Sequence, residues 1–170
     1  MKVAILQCDD VLEKFQAEFG NYPQMIERMF DDISPALNFE TFNCQLSEFP
    51  ADIHAYDFFI TTGSKASVYD DLPWIKQLID FVRVLDKHTK KLIGICFGHQ
   101  LIAMARNLDV KKSEKGWGVG IAKNEITHPP KWAKKNTPKL NIIVSHQDQI
   151  TDLPSNAQII AKSDFCPYFV

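Results

Sequence analysis

The segment of this 170-residue chain with the clearest capacity for chemistry is Gly94-Ile95-Cys96-Phe97-Gly98-His99-Gln100. A cysteine thiolate is a strong nucleophile toward carbonyl carbon. Cys96 ends an apolar run, Lys91–Cys96 (KLIGIC), and a run of helical character, His99–Asn107, follows it. Glycine two residues to each side gives a strand–nucleophile–helix elbow with cysteine in place of serine. In so sharp a turn, side chains at 94 and 98 would collide with neighbouring elements. The elbow lifts the sulfur above the carboxyl ends of the strands, where open α/β sheets bind ligands. A helix N-terminus there stabilises thiolate and lowers the thiol pKa from its free value of about 8.5. The Phe97 backbone N–H would then point at the oxygen of a carbonyl under attack. The competing reading is a buried cysteine in a tight turn with no chemistry, and a bare G-x-C-x-G does not separate the two.

The elements that must position this turn are legible in the hydrophobic pattern. Lys2–Gln7, Phe39–Phe42, Tyr56–Thr62 and Lys91–Cys96 read as strands. Tyr22-Pro23 opens a helix with Met25, Ile26, Met29, Phe30 and Ile33 at helical spacing. Asp70-Asp71-Leu72-Pro73 opens another, with Asp available for capping, and Trp74, Ile75, Leu78, Ile79, Val82 and Leu85 form its apolar face. After Gly120 the texture turns to strand-like pieces at 118–127, 140–145 and 157–161. Strands alternating with helices predict an α/β fold, a mostly parallel sheet with helices on both faces. There is no repeat, low-complexity tract or linker, so the expectation is one domain.

Composition narrows the function. Lys plus Arg number 19 against 21 Asp plus Glu, and 45% of residues are apolar. That describes a soluble globular protein rather than a disordered chain, and it argues against a nucleic-acid partner. Residues 111–139 hold eight Lys against Glu114 and Glu125, either a solvated edge or a docking face for an acidic partner. Trp117 and Trp132 are too sparse for a stacking platform. No apolar run approaches the roughly 20 residues of a membrane helix, and Val3–Leu6 is too short for a signal peptide. The widely spaced Cys8, Cys44, Cys96 and Cys166 make no disulfide framework and, with the His residues scattered, no metal site, and predict a reducing, cytoplasmic setting; no phosphate-cradling glycine loop appears either, and no cofactor is expected.

Gly94–Gln100 (GICFGHQ) resembles the nucleophile motif of class I glutamine amidotransferases. Gly20–Met25 (GNYPQM), Thr62–Ile75 (TGSKASVYDDLPWI), Lys115–Gly120 (KGWGVG), Ser145–Ile150 (SHQDQI), Leu153-Pro154 and Ser163–Pro167 (SDFCP) follow in the order of the stand-alone members similar to the glutaminase of GMP synthase. The resemblance implies a three-layer flavodoxin-like fold. It implies that Cys96 attacks the side-chain amide of glutamine to form a γ-glutamyl thioester and release ammonia. By the same resemblance, the N–H groups of Gly63 and Phe97 form the oxyanion hole and Gln100 holds the bound glutamine. The Ser145, His146, Gln147 and Asp148 loop contacts its α-amino and α-carboxylate groups. Lys65 stands where the family has proline after Gly-Ser, and His99 packs the elbow. A γ-glutamyl small molecule is the implied ligand, and a synthetase the implied kind of partner.

The family takes its general base and the acid that orients it from Phe-His-Pro-Glu, beyond the Cys-Pro segment. In this chain no His is followed two residues later by Glu. His146-Gln147-Asp148 is the nearest imitation and falls on the substrate loop. The expectation is therefore one domain over 1–170, incomplete at its C-terminus, without the family's last strand and closing helix and impaired in turnover. Truncation of a longer enzyme and a natural short form both remain open, as does whether this form is an enzyme at all. The alternatives are a γ-glutamyl peptide hydrolase and a non-catalytic domain that binds glutamine or a partner. A Cys-elbow hydrolase of the intracellular-protease kind fits the fold but leaves Gln100 and the 145–148 loop unexplained.

Overall fold

The computed structural model describes residues 1–31, 33, 36–131 and 139–170. Residue contacts gather into two compact units, Met1–Arg106 and Asn107–Val170. In the first, the order is β1 (Lys2–Gln7), α1 (Glu13–Phe19), α2 (Tyr22–Asp31), β2 (Asn38–Asn43), β3 (Phe58–Thr61), α3 (Pro73–Lys87), β4 (Lys91–Gly94) and α4 (Phe97–Ala105). The four strands pair in parallel in the order β2-β1-β3-β4. The mixed α/β architecture predicted from the alternating pattern is the one observed.

β1 sits inside the sheet, and its residues Val3, Ala4, Ile5 and Leu6 are wholly buried. A central parallel strand is covered on both faces, hence its unbroken apolar run. Val3, Ile5 and Ile60 meet Ile26 of α2 on one face, with Phe30, Phe39 and Phe58 packed around them. Because strand side chains alternate, Phe59 points the other way and meets Phe81 of α3, ring centroids 6.1 Å apart. α3 buries Trp74, Ile75, Leu78, Val82 and Leu85, the stripe expected from their spacing apart from Ile79.

Some helix starts of this unit differ from the sequence expectation. The N-cap of α3 is Leu72, without a side-chain capping bond. Asp70 instead accepts from the Ser67 N–H at 2.9 Å and Asp71 pairs with Lys76. Pro73 at the first helical position, with its preset φ, starts the helix unaided. α1 is not apparent in the pattern, since none of its residues is buried.

The second unit is antiparallel. β5 (Val110–Lys112) pairs with β8 (Asp148–Ile150), while β6 (Gly118–Ile126) lies between β7 (Lys139–His146) and β9 (Ala161–Lys162). The strand expected at 157–161 forms only at its last residue.

Ile5, Ile60 and Ile93 are neighbours across three strands, but Ile60 is buried and Ile93 is 47% exposed. Ile60→Ala should cost about 2–5 kcal/mol, and Ile93→Ala about 0.5 kcal/mol or less. Urea denaturation of the two variants checks the difference.

Candidate active site

Cys96 lies in the two-residue junction between β4 and α4, at the N-cap of the helix. Its φ of 52° and ψ of −102° put a side-chain-bearing residue in a region that favours glycine. Such a conformation costs about 1–3 kcal/mol and persists only when its surroundings impose it. They do so here through α4, whose first turn closes with Gly98 N–H to Ile95 O at 2.9 Å and His99 N–H to Cys96 O at 3.0 Å. The thiol is exposed, in contrast to buried Cys8, Cys44 and Cys166. The partial positive charge of the helix N-terminus falls at the same place.

The two glycines permit this turn by close approach. A Cβ on Gly94 would lie 2.5 Å from the carbonyl carbon of Gly98, and a Cβ on Gly98 would lie 1.5 Å from Thr61 Oγ1. The collisions expected from the sequence are thus located, one between β4 and α4 and one between α4 and β3. Phe97, fully buried, packs on Trp74 with ring centroids 5.6 Å apart. Gln100, also buried, is one helical turn beyond Cys96, and its N–H bonds the Cys96 carbonyl at 3.2 Å.

Gly63 comes to the same place from the end of β3. A Cβ built on it would be 3.7 Å from the Cys96 Cβ and 3.9 Å from Ile95 O. The first unit therefore brings together Gly63, Cys96, Phe97 and Gln100. It adds residues that the sequence reading passed over. Thr62 Oγ1 accepts from the Cys8 N–H at 2.8 Å and donates to Gly63 O at 3.0 Å. Asp9 accepts from the backbone N–H of Lys65 and from its ammonium, at 2.8 and 3.0 Å. Burial pushes the Asp9 carboxyl pKa up, but hydrogen bonds from the Lys65 and Asp10 N–H groups and the Lys65 ammonium outweigh it, and the pKa lies below the usual 3.8. The Tyr22 hydroxyl is pushed up by burial, then by the negative charges of Asp9 and Cys96. Position at the carboxyl ends of β1 and β3 was the available signal for Asp9 and Thr62.

The other expected residues lie in the second unit. Ser145 and His146 close β7, and Asp148 opens β8. His146 Nδ1 is 3.2 Å from the Asp148 backbone carbonyl, and its ring meets Phe165 edge-on at 5.5 Å. Gln147 O accepts from Ser113 N–H at 2.9 Å. The His146 imidazole thus meets a main-chain oxygen and an aromatic ring.

The remaining thiols are poorly suited to nucleophilic work. A hydrogen bond with Cys8, then burial, pushes the Cys44 thiol far up, and burial raises Cys166. Among the described residues no cluster of His, Cys, Asp or Glu could hold a metal ion, and no helix is long and apolar enough to cross a membrane. In the basic stretch, Lys111 pairs with Asp109 at 2.9 Å and Lys115 bonds the Asp164 carbonyl. Trp132, Lys134 and Lys135 lie outside the described residues.

The chain is similar to known proteins in sequence and in fold. The family model of class I glutamine amidotransferases matches residues 18–168. Gamma-glutamyl peptidase 4 of Arabidopsis thaliana is 32% identical over 152 residues, 85% of this chain and 60% of that protein. A glutamine amidotransferase-like protein of Schizosaccharomyces pombe is 31% identical, covering 98% of this chain and 71% of its own length. A Thermotoga maritima glutamine amidotransferase structure superposes with a TM-score of 0.78 at 20% identity, over 96% of this chain and 68% of that one. The chain thus spans 60% of the length of the first of these relatives.

Gly98→Ala should destabilise by about 1–3 kcal/mol or more, with part of the loss recovered by adding Thr61→Ala. Gly63→Ala meets only ordinary contacts and should melt like wild type; thermal denaturation compares the three. The pH dependence of stability tests Asp9. Its folded pKa is depressed, so its contribution is full above 3.8 and is lost as pH falls through the lower folded value. Asp9→Asn should make the acid limb of a plot of denaturation midpoint against pH shallower.

Proposed function

The chain belongs to the class I glutamine amidotransferase family, and from that premise we propose that it cleaves a γ-glutamyl amide through the Cys96 thiolate. The observation that carries this reading is the exposed Cys96 at a strained helix N-cap with Gly63 against it. The thiolate adds to the side-chain carbonyl carbon of the γ-glutamyl group, and the carbonyl π electrons move to oxygen. The N–H groups of Gly63 and Phe97 receive that charge. Preorganised donors of this kind are worth about 10²–10³ in rate each. The adduct collapses by breaking the C–N bond, leaving a γ-glutamyl thioester on Cys96 and expelling the amine. Water then cleaves the thioester, giving glutamate and restoring the thiol. Gln100, buried one helical turn beyond Cys96, holds the glutamyl part.

Breaking the C–N bond requires a proton on the departing nitrogen, delivered by a positioned acid. No His-x-Glu pair occurs among these 170 residues. We therefore infer that this polypeptide by itself carries a competent nucleophile and turns glutamine over weakly. A γ-glutamyl peptide is the second reading of the substrate. It is supported by the Arabidopsis thaliana relative, a gamma-glutamyl peptidase, because the same attack serves a peptide amine as leaving group in place of ammonia.

A glutamine-analogue diazoketone should add once, to Cys96, as read by intact and peptide mass spectrometry. Cys96→Ala should take up none. Glutaminase turnover of the 170-residue chain should be slow, and should rise when a relative's segment bearing His-Pro-Glu is joined after Val170. Modification at another cysteine instead of Cys96 would contradict the assignment. Rapid glutamine turnover by the 170-residue chain would contradict the inferred dependence on a missing acid and base.

A further inference from the structure

An oxyanion donor works only if it is already in place when charge develops. Residues 62–66, which carry Gly63, belong to no helix or strand, and glycine contributes no stiffness of its own. The rigidity of this loop must come from what it is tied to, and two sets of bonds tie it to the end of β1. Thr62 bridges the Cys8 N–H and the Gly63 carbonyl. Two residues further on, Asp9 grips Lys65 twice.

The Asp9 side chain is 5% exposed while that of Lys65 is 82% exposed. One carboxylate oxygen takes the Lys65 backbone N–H at 2.8 Å, which fixes the path of the main chain. The other takes the Lys65 ammonium at 3.0 Å and the Asp10 N–H at 2.9 Å. Charge-assisted bonds of this kind are shorter and stronger than neutral ones. The tripeptide Gly63-Ser64-Lys65 is thereby pinned at both ends to the segment that leaves β1.

We propose that Asp9 is a positioning residue, whose carboxylate holds the Gly63 N–H toward Cys96 by clamping Lys65 at its main chain and its ammonium. This rests on the reading of Gly63 as an oxyanion donor. A carboxylate that merely stabilised the loop would be required for folding but would not set the rate of acylation relative to other reactions of the same thiol.

The test is a single-turnover burst with a γ-glutamyl para-nitrophenyl ester, whose phenolate leaves without needing a proton. Cys96 displaces para-nitrophenolate and becomes a γ-glutamyl thioester. Alkylation of Cys96 by iodoacetamide, which develops no oxyanion, is the control. Asp9→Ala should slow the burst by about a hundredfold, the order associated with misplacing a group by about 1 Å, with alkylation unchanged. Lys65→Met, which removes the ammonium but keeps the main-chain bond to Asp9, should slow it by a smaller factor, and Lys65→Arg should restore it. If Asp9→Ala does not fold, the two Lys65 variants decide the matter. Wild-type bursts in the Asp9 and Lys65→Met variants would overturn the inference, as would burst and alkylation falling together. Absence of any burst in the wild-type chain would instead overturn the reading of the site on which it rests.

Discussion

The structure around Cys96 depends on one close approach, that of the first turn of α4 to the ends of β3 and β4. Gly94 and Gly98 have no Cβ, so the helix backbone comes against Thr61 and the end of β4 at distances no side chain could occupy. The chain must then turn within Ile95 and Cys96, and Cys96 takes a positive φ. Part of the cost is visible at Thr61, whose buried Oγ1 is without a hydrogen-bond partner among the described residues. An unpaired buried hydroxyl costs about 1–3 kcal/mol. The apolar core beneath, from Phe59 through Leu78 and Leu101, is fully buried and offsets both terms.

What this compression achieves is the meeting of two chain segments. β3 and β4 are adjacent parallel strands, so the loop leaving β3 and the helix leaving β4 emerge side by side. Gly63 therefore lies against Cys96 without any long-range device. The loop leaving β1 emerges on the other side of β3 and supplies the polar groups, Cys8 N–H and Asp9, that hold the Gly63 loop. Parallel topology thus collects Cys96, Gly63 and Asp9 at one end of the sheet, as the carboxyl-end rule for α/β folds describes.

Much of this was legible in the residues. The spacing of Gly94, Cys96 and Gly98 specified the elbow because each glycine answers to a steric limit. The apolar run of β1 and the stripe of α3 specified burial. Local chemistry was less reliable. Asp70 and Asp71 were expected to cap α3, yet Pro73 starts it without them. β5 and β8 are three residues each and carry no usable period. Asp9 had only its place just beyond β1 to mark it, because the residue it binds is 56 positions away. Lys65 reads as a departure from the family pattern until the buried carboxylate beneath it is seen.

The central claim is that Cys96 is poised for acyl transfer by its surroundings, independently of the acid that releases the product amine. Mass spectrometry of the 170-residue chain after mixing with a γ-glutamyl ester that needs no leaving-group proton tests this directly. The account predicts a hydroxylamine-sensitive γ-glutamyl adduct on Cys96 and on none of Cys8, Cys44 or Cys166. A folded chain whose Cys96 alkylates readily but forms no such adduct would contradict it.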